Sequence, residues 1–480
     1  LADPALRVLL ELRPAFDGHA GIPQEARLLF RGLRRLEGLD VEGLLQSSGH
    51  ALARGLPVKD EGWSRDKQLN RLSRVVVSLR KEVHNPYVAA LGMLVRALTG
   101  ATEELSRFEA AAFRDFIWQA LFARTLHAED FDSVTQAGYR VARVPWTAMH
   151  RMALLTRKLG HATYPRLDTR GFDVMIAETP YPARVSGATR LVVRYHDAIP
   201  LLMPHTISDM AYHQASHYHA LRTNVEAGAH FACVSESTRQ DLLRIFPQVE
   251  SRAVTIHNMV SHHYYPELST PARVPEVIRT RLNDDEALGQ RSPRELGERV
   301  DYLLMVSTLE PRKNHAALLS AWEQLRAGAH PDLKLVVVGM LGWQHEPILR
   351  KFRPWIERGE LFVLQDVPSP ELRLLYRHAR ATACPSFGEG FDFSGVEAMR
   401  CGGAVVASDI AVHREVFADA AEYFSPYSAD DLAQALARVI DPAQSARRED
   451  LVRRGEPVAA RYLPERILPR WREYLLGLPR

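Results

Sequence analysis

Residues 384–417 read CPSFGEGFDFSGVEAMRCGGAVVASDIAVHREVF, and this stretch decides the fold. An apolar run ends at Pro385, a loop follows in which Gly388 and Gly390 flank Glu389, and a helical pattern opens near Ser394. A helix starting there turns unpaired backbone N–H groups and the positive end of its dipole toward the loop, which suits a diphosphate. Glu389 lies in the loop and Glu397 in what reads as the first turn of the helix, an E-x7-E spacing. One carboxylate is suited to sugar hydroxyls and the other to the vicinal hydroxyls of a ribose. Gly402 and Gly403 then permit a tight turn into the apolar run 404–409.

Similar apolar runs recur outward from this stretch. Before it lie 6–12, 172–178, 190–196, 230–235, 253–258, 301–307, 333–339 and 361–365, with 381–386 leading into it. Several are unbroken in Val, Ile and Leu, as strands buried on both faces of a parallel sheet require. Helical patterns such as 314–327 and 369–379 fall between them, which predicts an α/β protein built from doubly wound sheets. The polar, charge-dense segment 268–300 reads as a linker, so residues 1–285 and 286–460 form two Rossmann-like domains. Within the first, 55–165 reads as a helical insertion without a clear strand. It includes a basic helix over 65–81 carrying Arg65, Lys67, Arg71, Arg74, Arg80 and Lys81, read first as a solvated face and second as a contact for anionic lipid headgroups.

Composition narrows the function. With 61 Lys+Arg against 58 Asp+Glu the net charge is +3, which argues against a coat for bare nucleic acid. A chain that is 46% hydrophobic and 25% charged is a folded one. Cys233, Cys384 and Cys401 form no CxxC pair; Cys233 and Cys384 sit in apolar runs and read as buried hydrophobes. No apolar stretch is long enough to cross a bilayer, and the start of the chain does not read as a secretory signal, so a cytoplasmic protein is expected.

The stretch 384–417 resembles the donor site of the GT4 family of retaining glycosyltransferases, which have the GT-B fold of two facing Rossmann-like domains. Four further pieces resemble the family in its own order: HAGIPQEARLLFRGL (19–33), YHDAIPLLMP (195–204), VSESTRQDLL (234–243) and VSTLEPRKNHAALLSAWEQL (306–325). The resemblance implies a nucleotide-sugar donor as substrate, no metal or other cofactor, and a glycan or lipid-linked glycan acceptor at the inner face of the membrane. It implies that Lys313 contacts the donor diphosphate and Gly21 lets backbone approach it from the opposite domain. Glu397 would hold the ribose, Glu389 the sugar hydroxyls, and His196 the sugar near its reacting face, with Gly390, Phe391, Asp392, Phe393 and Ser394 forming the donor loop. Residues 461–480 resemble the closing helix that such enzymes send back to the first domain. Mannose is the first choice of sugar, in surface polysaccharide synthesis. A catalytically silent sugar-nucleotide scaffold, an epimerase and a sugar phosphorylase are the alternatives.

Two departures stand out. Where the family often has arginine, this chain has Thr308, and Arg312 is the candidate replacement. Where the family commonly reads GFGLP, this chain places Asp392, which could instead cap the helix. Two patterns resemble metal motifs. His213 and His217 have the spacing of a zinc-binding helix, but Gln214 stands where the general base belongs, so these and His219 read as surface histidines. Asp130-Phe131-Asp132 reads as a turn.

Overall fold

The computed structural model describes residues 5–16, 18, 21–58, 62–81, 92, 95, 102–158, 161–282 and 296–479. The strands are β1 (Leu6–Glu11), β2 (Leu39–Leu45), β3 (Thr102–Glu104), β4 (Ser106–Glu109), β5 (Gly138–Val141), β6 (Arg166–Asp168), β7 (Val174–Ala177), β8 (Arg190–Tyr195), β9 (His230–Cys233) and β10 (Ala253–Thr255). Beyond the polar segment come β11 (Tyr302–Val306), β12 (Lys334–Val338), β13 (Leu361–Leu364), β14 (Ala381–Cys384), β15 (Val405–Ser408) and β16 (Ala421–Phe424).

Two sheets carry the fold. The second has the order β13-β12-β11-β14-β15-β16, every pair parallel, which is the doubly wound order. Its neighbouring residues part to opposite faces: Tyr302 and Leu304 enter one core cluster, Leu303 and Met305 the other. Burial on both faces is why these strands read as unbroken apolar runs. The first sheet has the order β10-β9-β8-β7-β1-β2-β5-β4, parallel except where β4 runs against β5.

In each sheet the parallel strands reverse direction of winding at one place, between β7 and β1 in the first and between β11 and β14 in the second. Ligands of such sheets bind in the crevice outside the carboxyl ends of the strands at that reversal. The segments that follow β1, β7, β11 and β14 therefore define where a site belongs.

Segment 55–165 differs from expectation. It contains β3, β4 and β5, and the latter two extend the first sheet. Their short length and their polar residues (Ser106, Arg107 and Glu109; Arg140) hide them from a search for apolar runs. The basic helix, Arg65–Arg80, docks Leu72 and Val75 into the first core and leaves Arg65, Lys67, Arg74 and Arg80 exposed. Residues 268–300 are also not wholly linker, since helix Val274–Arg281 buries Val274, Val277 and Ile278 in the second core, while 283–295 lie outside the described residues. At the other end, helix Pro464–Leu476 places Ile467, Trp471 and Leu475 in the core of the first sheet.

Candidate active site

After β11 the chain turns through Pro311–Lys313, and after β14 it runs through the loop to helix Phe393–Arg400. Asn314, at φ 59°, donates from Nδ2 to the Pro385 and Pro426 carbonyls, and the Phe387 N–H donates to the Arg312 carbonyl at 3.0 Å. These bonds pin the two segments together and bring distant residues into one cluster. Lys313 Nζ lies 2.6 Å from Glu389 Oε1, and Arg312 Nη1 lies 2.8 Å from Glu389 Oε2. Arg312 also pairs with Glu310 at 2.6 Å and donates to the Gly388 carbonyl. Arg312 thus lies within the cluster, while Thr308 brings no charge to it.

Burial pushes the Glu389 carboxyl up, but the Arg312 and Lys313 cations outweigh it and hold it below the usual range. Burial likewise works against the Arg312 charge, and Glu389 and Glu310 more than restore it. Burial raises the Glu310 carboxyl, against the pull of Arg312 and Lys313. This wall therefore sets two cations against two carboxyls, an arrangement that a bound anion would repartition.

Asp392 caps the helix. Its backbone sits at φ 66°, Oδ1 accepts the Ser394 N–H at 3.1 Å and the Ser394 hydroxyl at 2.6 Å, and Oδ2 lies 3.1 Å from His413 Nε2. Burial acts to raise its carboxyl, yet these hydrogen bonds and the His413 and Lys313 charges hold it well below the usual range. One of the N–H groups expected to be free at this helix end, that of Ser394, is therefore taken. Phe391 is 3% exposed and packs edge-on against Tyr462 and Phe393, so its ring belongs to the core.

Glu397 lies in the second turn of this helix, since the helix starts at Phe393 and its first turn holds no acid. It points into a buried polar nest, accepting from Gln24 Nε2 at 2.9 Å and from the Tyr376 hydroxyl at 3.1 Å. Burial pushes it up to about 7, against the pull of those two donors. Gln24 belongs to helix Ile22–Leu33 of the first domain, so this bond crosses between the domains. Gly21 precedes that helix at φ 71°, a conformation that favours glycine. Residues 19 and 20 of its loop lie outside the described residues.

On the facing wall His196 follows β8, and its Nε2 is 3.3 Å from Glu178 Oε2. Glu178 directly follows β7 and is fully buried, and burial drives its carboxyl up to about 8. Burial and the Arg194 charge lower His196 to about 4. The two walls touch: a Cβ on Gly390 would lie 1.9 Å from the His196 carbonyl oxygen, and the Thr238 hydroxyl is within 3.3 Å of that oxygen and 3.4 Å of the Gly390 oxygen. Lys313, Arg312, Glu389, Gly390, Asp392 and Ser394 thus gather at one loop cluster that meets His196, while Glu397 is held deeper by the first domain's Gln24.

Composition and spacing missed Glu178, Gln24, Tyr376 and His413. Glu178 had a readable signal, a carboxylate at the carboxyl end of an apolar run. The others are joined to the site only by folding. Further from the cleft, Glu415 of the second domain accepts the Glu236 and Ser237 N–H groups and lies 2.8 Å from His257 Nε2.

The metal motifs resolve into structure. Asp130 ends a turn and is fully buried between Arg31 and Arg35, at 2.9 and 2.7 Å. His213 is exposed, and His217 is half-buried, with its Nε2 3.2 Å from the Tyr195 hydroxyl. All three cysteines are free and buried. Among the described residues no helix is long and apolar enough to cross a membrane.

Comparison with known proteins bears on the same regions. Residues 290–456 match the family described as "Glycosyl transferases group 1". The O-antigen chain mannosyltransferase B of Escherichia coli is 28% identical over 246 residues, 51% of this chain and 59% of its own length. The serotype-specific mannosyltransferase WbdA of Escherichia coli is 38% identical over 136 residues, 28% of this chain and 16% of that protein. The chain thus spans less than two thirds of the length of these curated relatives. Among solved structures, the sucrose-phosphate synthase from Thermosynechococcus elongatus superposes with a TM-score of 0.58 at 16% identity, covering 98% of this chain and 99% of that one. Anabaena HepE in complex with UDP-glucose gives 0.54 at 14% identity, covering 98% and 100%. At such identities the likeness carries the fold and nothing finer.

Proposed function

We propose that this chain, whose residues 290–456 match the group 1 glycosyltransferases and whose fold is GT-B, is a GT4-type enzyme that transfers a sugar from a nucleotide-sugar to a glycan or lipid-linked glycan acceptor, with retention at the anomeric carbon. The observation that carries this reading is the part-buried Arg312–Glu389–Lys313 cluster at the chain reversal of the second sheet, meeting His196 across the cleft. A diphosphate bound there takes up the Lys313 and Arg312 charges as its own charge grows on bond breaking, a preorganised electrostatic contribution of the kind that dominates many enzymes. Glu389, released from part of its ion pairing, accepts sugar hydroxyls. Glu397 exchanges its Gln24 bond for the ribose hydroxyls. His196 bonds the sugar from the opposite wall.

Retention proceeds in this reading by departure and attack on one face, through an oxocarbenium-like state. The carboxyl bonded to His196, Glu178, is buried and protonated near neutral pH, which makes it a poor nucleophile for a double displacement. No metal takes part: the two cations of the cluster supply the charge that a divalent ion would. Mannose is the favoured sugar, supported by the mannosyltransferase relatives, and surface polysaccharide is the favoured product. The acceptor is met at the cytoplasmic face of the membrane, where the exposed cations of helix Arg65–Arg80 touch anionic headgroups.

The test is a thermal-shift screen against GDP-mannose and UDP-glucose, followed by transfer assays with and without EDTA and anomeric analysis of the product. GDP-mannose is expected to raise the melting temperature, as a ligand specific for the folded state must. If neither donor moves it and no sugar is transferred, the reading fails.

A further inference from the structure

Under the reacting-face wall lies a group of charges drawn from four elements. Glu11 ends β1, Arg13 follows it, Arg194 stands in β8, and Glu25 comes from helix Ile22–Leu33. The cations here are already committed. Arg13 Nε donates to Glu11 Oε1 at 2.7 Å, and Arg194 Nη2 donates to Glu25 Oε1 at 2.8 Å and to Asn258 Oδ1 at 2.6 Å. Glu11 spends its second oxygen on the backbone N–H of Glu178, at 2.9 Å.

Among the described residues Glu178 is left with no cation of its own: it is 0% exposed, its Oε1 has no hydrogen-bond partner there, and its Oε2 meets only His196 Nε2 at 3.3 Å. An ionised carboxylate so placed, beside the Glu11 carboxylate, would be poorly stabilised. The His196 ring differs: its side chain is 11% exposed, and among the described residues its Nδ1 takes no hydrogen bond.

We propose that Glu178 is a positioning residue whose carboxyl proton is donated to His196 Nε2, fixing the imidazole as the tautomer that offers Nδ1–H to a sugar hydroxyl. The inference rests on the assignment of His196 to the sugar made above. Its polarity follows from proton counting. A protonated carboxyl donates, so Nε2 must be bare and the ring proton must sit on Nδ1. Once Glu178 ionises, the carboxylate can only accept. Nε2 then takes the ring proton, and Nδ1 changes from donor to acceptor. Burial places this reversal at about pH 8, with Glu11 favouring the protonated form and Arg194 and Arg13 opposing it. His196 itself stays neutral through that range, held low by burial and Arg194 against the nearby Glu25, Asp197 and Glu11.

Two readouts test this. In the first, kcat is followed from pH 6.5 to 9.5 in wild type, Glu178→Gln and Glu178→Leu. Wild type should lose about tenfold between pH 7 and 9, one unit above the titration. Glu178→Leu should lose about a hundredfold at pH 7 with little change in donor KM, because the ring is no longer oriented. Glu178→Gln, whose amide donates without titrating, should recover activity to within about fivefold of wild type and show no alkaline decline. The second readout is 15N spectroscopy of histidine-labelled protein at pH 7, with His196 assigned by its loss in His196→Gln. It should show an acceptor-type Nε2 and an N–H at Nδ1. An alkaline decline unchanged in Glu178→Gln, or an Nε2–H signal at pH 7, overturns the proposal. If Glu178→Leu does not fold, the glutamine variant and the spectra decide. If wild type transfers no sugar at all, it is the proposed function that fails, and the spectra still decide the hydrogen bond.

Discussion

The two walls of the cleft handle charge in opposite ways. On the second-domain wall Glu389 and Asp392 are held ionised by Arg312, Lys313 and His413, all within 3.1 Å. On the first-domain wall Glu178 is buried without a cation, and it keeps its proton instead. The same residue type therefore serves as counter-charge on one side and as neutral hydrogen-bond donor on the other. The difference is one of partners, since both carboxyls are buried: 7% side-chain exposure for Glu389 and 0% for Glu178. A charged wall suits a diphosphate, and an uncharged one suits hydroxyls.

The sharpest way to break this contrast is to remove a charge from the ionised wall. Lys313→Ala should lower kcat about a thousandfold, the scale of deleting a preorganised electrostatic donor, with the fold intact by circular dichroism. Glu389→Ala should behave alike. Full activity in either would end the assignment of that wall to the donor.

Separating the walls comes next. Gly390→Ala would put a methyl 1.9 Å from the His196 carbonyl oxygen, a backbone atom with little room to yield. The variant should lose about a hundredfold in kcat/KM and scatter X-rays as a more open particle. Unchanged activity and an unchanged radius of gyration would show that the walls do not need this contact.

Glu397 stands between the two regimes and gives a smaller, pH-dependent effect. Accepting two ribose hydroxyls requires the ionised form, so donor affinity should improve as pH rises through about 7. Glu397→Gln should bind donor about tenfold more weakly at pH 8 and lose that pH dependence, measured by calorimetry. The stability effect has the opposite sign. The folded group is raised from 4.5 to about 7, so its contribution is fully present below 4.5 and lost as pH climbs through 7. The variant should therefore melt higher than wild type at pH 8, with the gap closing toward pH 5.

The smallest effect belongs to Asp392→Gly. Glycine suits φ 66°, but the change removes the cap on Ser394 and leaves the buried His413 Nε2 without its partner. A net loss of about 1 kcal/mol is expected, a shift of roughly 2–4 °C in melting temperature for a domain of this size. A rise in melting temperature would mean that backbone strain at Asp392 outweighs both bonds.

Much of the second domain was legible because its strands are covered on both faces. Leu303, Leu304 and Met305 must all be apolar when neighbouring residues enter two cores, and such runs announce themselves. At the edge of the first sheet the signal fades. Ser106, Arg107 and Glu109 of β4 and Arg140 of β5 break the apolar runs, which is why segment 55–165 read as helical. The strand Leu39–Leu45, interrupted by Asp40, Glu42 and Gly43, escaped for the same reason.

The sequence by itself determined the units: ten apolar runs that became strands, an E-x7-E stretch after one of them, and a lysine before the helix that follows another. Those are local patterns, set by periodicity and by which residues tolerate a turn. Only the tertiary structure decided what each charge does. Lys313 is 76 positions from Glu389 and bonded to it, and Gln24 is 373 positions from Glu397 and bonded to it. The protonation of Glu178 follows from where Arg13 and Arg194 are spent, on Glu11 and Glu25. Such pairings depend on the order of strands in a sheet and on how two sheets face each other, and chain position encodes neither.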